Sequence, residues 1–157
     1  MSELTLDDPA PDFDLPTDGG GRVSLATLKG KPFVLYFYPK DDTSGCTSEA
    51  KAFSEMKAQF EAVGSKVIGV SRDGPNSHDK FKAKYDLTIT LASDEDGTML
   101  ERYGVWVEKS MYGRKYMGIE RATFLIGADG SVKQVWRKVK VPGHVDAVLK
   151  AMRALAG

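Results

Sequence analysis

The chain has 157 residues, of which 41% are apolar and 28% charged, with 22 Lys+Arg balancing 22 Asp+Glu. That length and composition fit one globular domain over residues 1–157, and the absence of net charge removes the electrostatic case for nucleic acid or an anionic membrane as a partner. No apolar run approaches the roughly 18 residues of a membrane span, and the opening MSELTLDDPAPDFDLP has neither a basic nor an apolar leader region, so a cytoplasmic protein is expected.

In chain order, Phe13 to Leu15 and Arg22 to Leu25 flank Thr17-Asp18-Gly19-Gly20-Gly21, which reads as a short hairpin. Pro32 to Tyr38 is apolar on both faces, as a central strand covered on both sides should be. From Cys46 to about Val63, Ala50, Phe53, Met56, Phe60 and Val63 recur every three or four positions, which predicts one helix lying on a core. A second apolar strand, Lys66 to Ser71, precedes a helix over about Ser77 to Tyr85, and this βαβ pattern predicts a parallel pair with a right-handed crossover. A short strand over Thr88 to Leu91 and a helical turn around Met99 to Tyr103 follow. Ala122 to Ile126 and Ser131 to Trp136 are joined across Ala128-Asp129-Gly130, a hairpin signal. The last helix, His144 to Leu155, carries a stripe of Val145, Val148, Leu149, Met152 and Leu155, read as core. The order β-α-β-α, β-hairpin, α is the thioredoxin-like α/β arrangement: a central mixed sheet flanked by helices, here with an N-terminal hairpin extension.

Cys46 is the only cysteine, so neither an internal disulfide nor a cysteine-rich structural zinc site can form. The histidines, His78 and His144, are far apart and outside any metal-ligand motif, so no metal site and no cofactor are expected. The neighbours of Cys46, from Asp41 to Ser48, are polar or small and fall where a central strand gives way to a helix. Ligands bind at that edge in open α/β sheets. The free N–H groups of a first helical turn and the positive end of the helix dipole interact better with a thiolate than with a thiol. Asp41 and Asp42 act against this if they face the sulfur, so a cation is expected nearby. Gly45 lets a substrate approach the backbone.

Pro39-Lys40-Asp41-Asp42-Thr43-Ser44-Gly45-Cys46 fits the pattern P-x-x-x-[TS]-x-x-C and resembles the peroxiredoxins. The longer string Tyr36 to Thr47 is similar to their Q subfamily, the bacterioferritin comigratory proteins. Ala10-Pro11-Asp12-Phe13, Tyr103-Gly104-Val105-Trp106 with Glu108-Lys109, and Arg121 to Ile126 resemble the same subfamily in the same order, so the likeness covers nearly the whole chain. It implies a thiol peroxidase in which the Cys46 thiolate attacks a peroxide and becomes sulfenic acid. By the same resemblance Thr43 would hydrogen-bond thiolate and peroxide, and Arg121 would supply the cation. Pro39 would shape the loop and shield the sulfur, and the N–H groups of Gly45 and Cys46 would bind peroxide oxygen. Trp106 and Tyr38 are read as packing around the pocket, and His144 as a helix start rather than a base.

The chain departs from that pattern at two positions. Ser44 stands where many Q-type members have proline, which predicts a less rigid loop, and Lys51 stands where many have a resolving cysteine. The sulfenic acid must therefore be reduced by an external thiol, for which thioredoxin, glutaredoxin or a small thiol would each suffice, or pair with Cys46 of a second copy. Lys51 is read as an exposed helix lysine or as a source of positive potential near the sulfur. A monomer is expected, with a dimer as the alternative. The competing functions are a thiol-disulfide oxidoreductase, disfavoured by the lack of C-x-x-C and of a proline before Thr123, and a non-catalytic redox sensor or chaperone on the same fold.

Overall fold

In the computed structural model, which describes residues 4–156, the expected first hairpin is formed by β1 (Asp14–Pro16) and β2 (Arg22–Ser24), with Leu15 opposite Val23. Leu25 has left the strand to begin a short helix, α1 (Leu25–Leu28). The cause is a capping box: the Ser24 hydroxyl accepts from the Thr27 N–H, and the Thr27 hydroxyl accepts from the Ser24 N–H.

The middle of the chain runs β3 (Phe33–Phe37), α2 (Ser44–Glu55), α3 (Lys57–Ala62), β4 (Lys66–Ser71), α4 (Pro75–Tyr85), β5 (Thr90–Ser93) and α5 (Thr98–Arg102). Then come β6 (Trp106–Met111), β7 (Arg114–Ile119), β8 (Ala122–Ile126), β9 (Val132–Trp136) and α6 (His144–Ala156). The central sheet has the order β5-β4-β3-β8-β9, in which β3, β4 and β5 are parallel and β8 is antiparallel to both β3 and β9. This is the expected thioredoxin-like mixed sheet.

Every residue of β3 is buried, and its two-residue alternation divides the core between the faces of the sheet. Phe33, Leu35 and Phe37 pack with Phe13, Leu25, Tyr103 and Phe124 on one side. Val34, Tyr36 and Tyr38 pack with α2, α3, α4 and α6 through Phe53, Phe60, Phe81 and Val148 on the other. The second face is aromatic-rich: Tyr36 stacks on Phe53 with ring centroids 4.6 Å apart. Gly69, the β4 partner of Tyr36, makes room for that ring, since a Cβ there would lie 2.7 Å from it.

The structure corrects the sequence reading in several places. The helix expected from Cys46 to Val63 is broken at Met56 (φ −99°, ψ 6°), whose carbonyl receives the N–H groups of Gln59 and Phe60 as α3 restarts. The strand expected from Thr88 begins at Thr90, because the Thr88 N–H is taken by the Ser54 hydroxyl of α2. Leu155 falls outside the apolar stripe and is exposed, whereas Val145, Val148, Leu149 and Met152 are buried. The β6–β7 hairpin was not anticipated. Its strands are mostly exposed and so carry little apolar alternation, and it turns at Tyr112-Gly113, both with positive φ, as a two-residue hairpin loop requires.

Candidate active site

The loop after β3 ends at Thr43, the N-cap of α2, so Ser44, Gly45 and Cys46 are its first three helical residues. Ser44 therefore occupies the first helical position, where a proline would forfeit no intrahelical hydrogen bond. The N–H groups of residues 44–46 precede the first helical bond, Thr47 N–H to Thr43 C=O, and have no partner within the helix. Cys46, Ala50 and Phe53 follow at helical spacing and turn together into the core. The sulfur therefore does not lie open among its polar neighbours: Cys46 is 1% exposed and belongs to the apolar cluster of Tyr36 and Phe53. The polar sequence around it is the outer face of the same turn.

The cation arrives from across the sheet. Antiparallel pairing sets Ala122 opposite Phe37, so Arg121 lies beside the end of β3 where the loop begins. Its Nη2 donates to Cys46 Sγ at 3.3 Å and its Nη1 to Glu49 Oε1 at 2.7 Å. Gly45 is explained by this approach, because a Cβ there would sit 3.2 Å from Arg121 Nη2. The glycine thus makes room for the guanidinium beside the sulfur.

Glu49 was missed by the sequence reading. It lies one turn beyond Cys46, is fully buried, and its Oε2 has no hydrogen-bond partner among the described residues. Burial raises its carboxyl from the ordinary 4.5 to about 7, against the opposing pull of Arg121. The only signal was an acidic residue on the face of the helix that also carries Cys46, Ala50 and Phe53. Lys109, from the unanticipated hairpin, is half-buried and held below the usual lysine range by burial and by Arg121, with Cys46 acting in the opposite sense. It is a second cation within electrostatic reach of the sulfur.

The Thr43 hydroxyl donates to the Lys40 carbonyl at 2.8 Å, and Thr43 is exposed. A hydroxyl has one proton, so this bond leaves Oγ1 as an acceptor and not as a donor to the sulfur. Pro39 is exposed at the bend that ends β3. The two aspartates are engaged elsewhere: Asp41 accepts from Tyr38, Ser77 and His78, and Asp42 from Lys84 and Tyr85. Lys51 points outward, its ammonium 6.0 Å from the centre of the Tyr85 ring. His144 begins α6 as expected, with its Nε2 2.7 Å from Thr123 Oγ1, and burial together with Arg121 lowers it from 6.5 to about 4. Trp106 lies under the Arg72 guanidinium, a packing role.

Residues 6–135 match the AhpC/TSA family. The chain belongs to this family, in its peroxiredoxin Q branch. This peroxiredoxin is 47% identical over 158 residues to peroxiredoxin Bcp of Xanthomonas campestris, covering 99% of each chain. To peroxiredoxin Bcp of Bacillus subtilis it is 44% identical over 147 residues, covering 94% of each. A solved structure of X. campestris peroxiredoxin Q superposes with a TM-score of 0.90 at 45% identity over 98% of both chains. One of the Xylella fastidiosa protein superposes at 0.94, with 39% identity over the full length of both.

Proposed function

We propose that this peroxiredoxin reduces hydrogen peroxide and organic hydroperoxides with Cys46 as its only redox-active group and an external thiol as its reductant. The chain is a thiol-dependent peroxidase by family. The one-cysteine reading is carried by a single observation: the sulfur held against Arg121 belongs to the only cysteine in the sequence. An X. campestris relative has been described for its alkyl peroxide reduction activity, which supports organic hydroperoxides as substrates here.

The Cys46 thiolate attacks the terminal peroxide oxygen. An S–O bond forms as the O–O bond breaks, the sulfur loses two electrons to become sulfenic acid, and the leaving oxygen takes a proton to depart as water or an alcohol. Arg121 already donates to the sulfur and can follow the charge onto the leaving oxygen. The N–H groups of Gly45 and Cys46 are the remaining donors, Thr43 Oγ1 accepts a hydrogen bond from the peroxide O–H, and Pro39 shapes the bend that shields the sulfur. Glu49 controls how much of the Arg121 charge is left for the reaction: a neutral carboxyl leaves more than a carboxylate.

An external thiol then condenses with the sulfenic acid, releasing water and forming a mixed disulfide, and a second thiol releases Cys46. Thioredoxin, glutaredoxin or a small thiol meets this need, with the enzyme acting as a cytoplasmic monomer. Stopped-flow tryptophan fluorescence with one equivalent of peroxide tests the reading. Oxidation far faster than that of free cysteine, and lost in Cys46→Ser, is expected; a rate equal to free cysteine would instead favour a redox sensor or chaperone. Mass spectrometry after oxidation without reductant should show sulfenic or over-oxidised monomer, or a disulfide-linked dimer.

A further inference from the structure

We propose that the Lys40–Asp41 peptide group sets the direction of the Thr43 hydroxyl, and that Asp73 and His78 are positioning residues for the peroxidase reaction because they hold that peptide. The inference rests on the assignment of Thr43 to the peroxide site above.

The Thr43 proton is committed to the Lys40 carbonyl at 2.8 Å, so the direction of that carbonyl decides where the free lone pairs of Oγ1 point. The carbonyl cannot turn alone. It shares a planar trans unit with the Asp41 N–H, which points the opposite way. That N–H donates to Asp73 Oδ2 at 2.8 Å, so one peptide plane is held at both ends, by Asp73 on one side and by Thr43 on the other. Asp73 is itself fixed just beyond β4: the Ser71 hydroxyl donates to the same Oδ2 at 2.8 Å and accepts from the Asp73 N–H at 3.2 Å.

The Asp41 side chain supplies a second anchor. Its Oδ1 accepts from the Tyr38 hydroxyl at 2.6 Å, and its Oδ2 accepts from Ser77 and lies 2.8 Å from His78 Nδ1. His78 Nε2 is 3.1 Å from the Ala92 carbonyl, which can only accept, so Nε2 carries a hydrogen. The short Nδ1–Oδ2 contact joins groups that are 0% and 7% exposed, so no solvent competes for it. The backbone gives a reason for so many restraints. Asp42, between this peptide and Thr43, has a φ of 60°, a left-handed conformation that a non-glycine residue adopts reluctantly. No hydrogen bond joins Asp73 or His78 to Cys46 or Arg121 among the described residues, so their influence must pass through the loop.

The experiment is the single-turnover rate of Cys46 oxidation by hydrogen peroxide in the full chain, measured as a double-mutant cycle. Asp73→Ala should slow oxidation by about tenfold to a hundredfold, the scale of a misplaced reacting group. Asp73→Asn, which keeps an acceptor oxygen, should recover most of that rate. In the Thr43→Val background, Asp73→Ala should add nothing. At the other anchor, His78→Asn, which can still donate from the Nδ1 side, should be faster than His78→Gln, which can donate only from the Nε2 side. If Thr43→Val is slow but Asp73→Ala is not, or if the two effects multiply, the positioning role is overturned while the Thr43 assignment stands. If Thr43→Val oxidises at the parental rate, the Thr43 assignment fails and the inference with it.

Discussion

Replacing Glu49 by glutamine should stabilise the protein at pH 8 and leave its stability at pH 4 nearly unchanged. Glu49 is fully buried, and its carboxyl is raised from 4.5 to about 7 by burial, against the pull of Arg121. The unfolded chain releases this proton near pH 4.5 while the folded chain holds it to about pH 7. Between those values the folded state binds more protons, so its stability falls as pH rises. At about 1.4 kcal/mol for each tenfold change in proton affinity, the whole interval costs about 3 kcal/mol. That corresponds to about 6–12 °C in Tm for a chain of this size. Glutamine has the same shape and never ionises, so the variant escapes this loss. The parent alone conceals the effect, because His144 is lowered from 6.5 to about 4 and so contributes stability that grows as pH rises through an overlapping window. The two slopes have opposite signs and similar size. Urea unfolding of both proteins from pH 4 to pH 8 isolates the Glu49 contribution as their difference. A difference that stays constant across that range would refute the reasoning.

Three further outcomes follow from the same geometry. Gly45→Ala places a Cβ 3.2 Å from Arg121 Nη2 and should slow Cys46 oxidation by about tenfold, the equivalent of one weakened charge-assisted hydrogen bond, with little change in Tm; stopped-flow oxidation together with thermal unfolding checks this. His144→Gln should remove a loss of about 3 kcal/mol that the parent suffers as pH falls from 6.5 to 4, read as the difference between the two urea-unfolding curves. Lys51→Cys should form an internal disulfide with Cys46 only if the first turns of α2 unwind, because five residues of helix rise about 7.5 Å and a disulfide needs closer Cα atoms. Peroxide treatment should therefore lower the helical circular dichroism of this variant as the disulfide appears by mass spectrometry.

What the sequence disclosed divides along the line between backbone pattern and side-chain company. β3 could be read because all its residues are apolar, and the position of Cys46 at the start of α2 because glycine and hydroxyl residues precede a helical stripe. Arg121 was reached by family resemblance, and the antiparallel register of β8 on β3 then explains why that residue lies beside the loop. The burial of Cys46 was not foreseen, since its neighbours in sequence are polar and its neighbours in space, Tyr36 and Phe53, lie on a strand and farther along the helix. Glu49 was hidden for a related reason: a carboxylate on a helix is normally a surface residue, and only a cation far along the chain, just before β8, makes its burial tolerable. Lys109 depended on a hairpin whose exposed faces carry too little alternation to be recognised.

The burial of Cys46, 1% exposed, also limits what can reach its sulfur. A hydroperoxide can present a single narrow oxygen to it, whereas a protein thiol must bring a whole surface, and α2 stands in the way. On the proposed one-cysteine cycle the two halves should obey different rate laws: oxidation is expected to stay first order in peroxide, and reset by a protein thiol to saturate, as turnover at rising reductant concentration would read. On the same cycle, at high peroxide the waiting sulfenic acid is expected to meet a second peroxide before a thiol, so the number of turnovers each molecule completes should follow the ratio of those two rates.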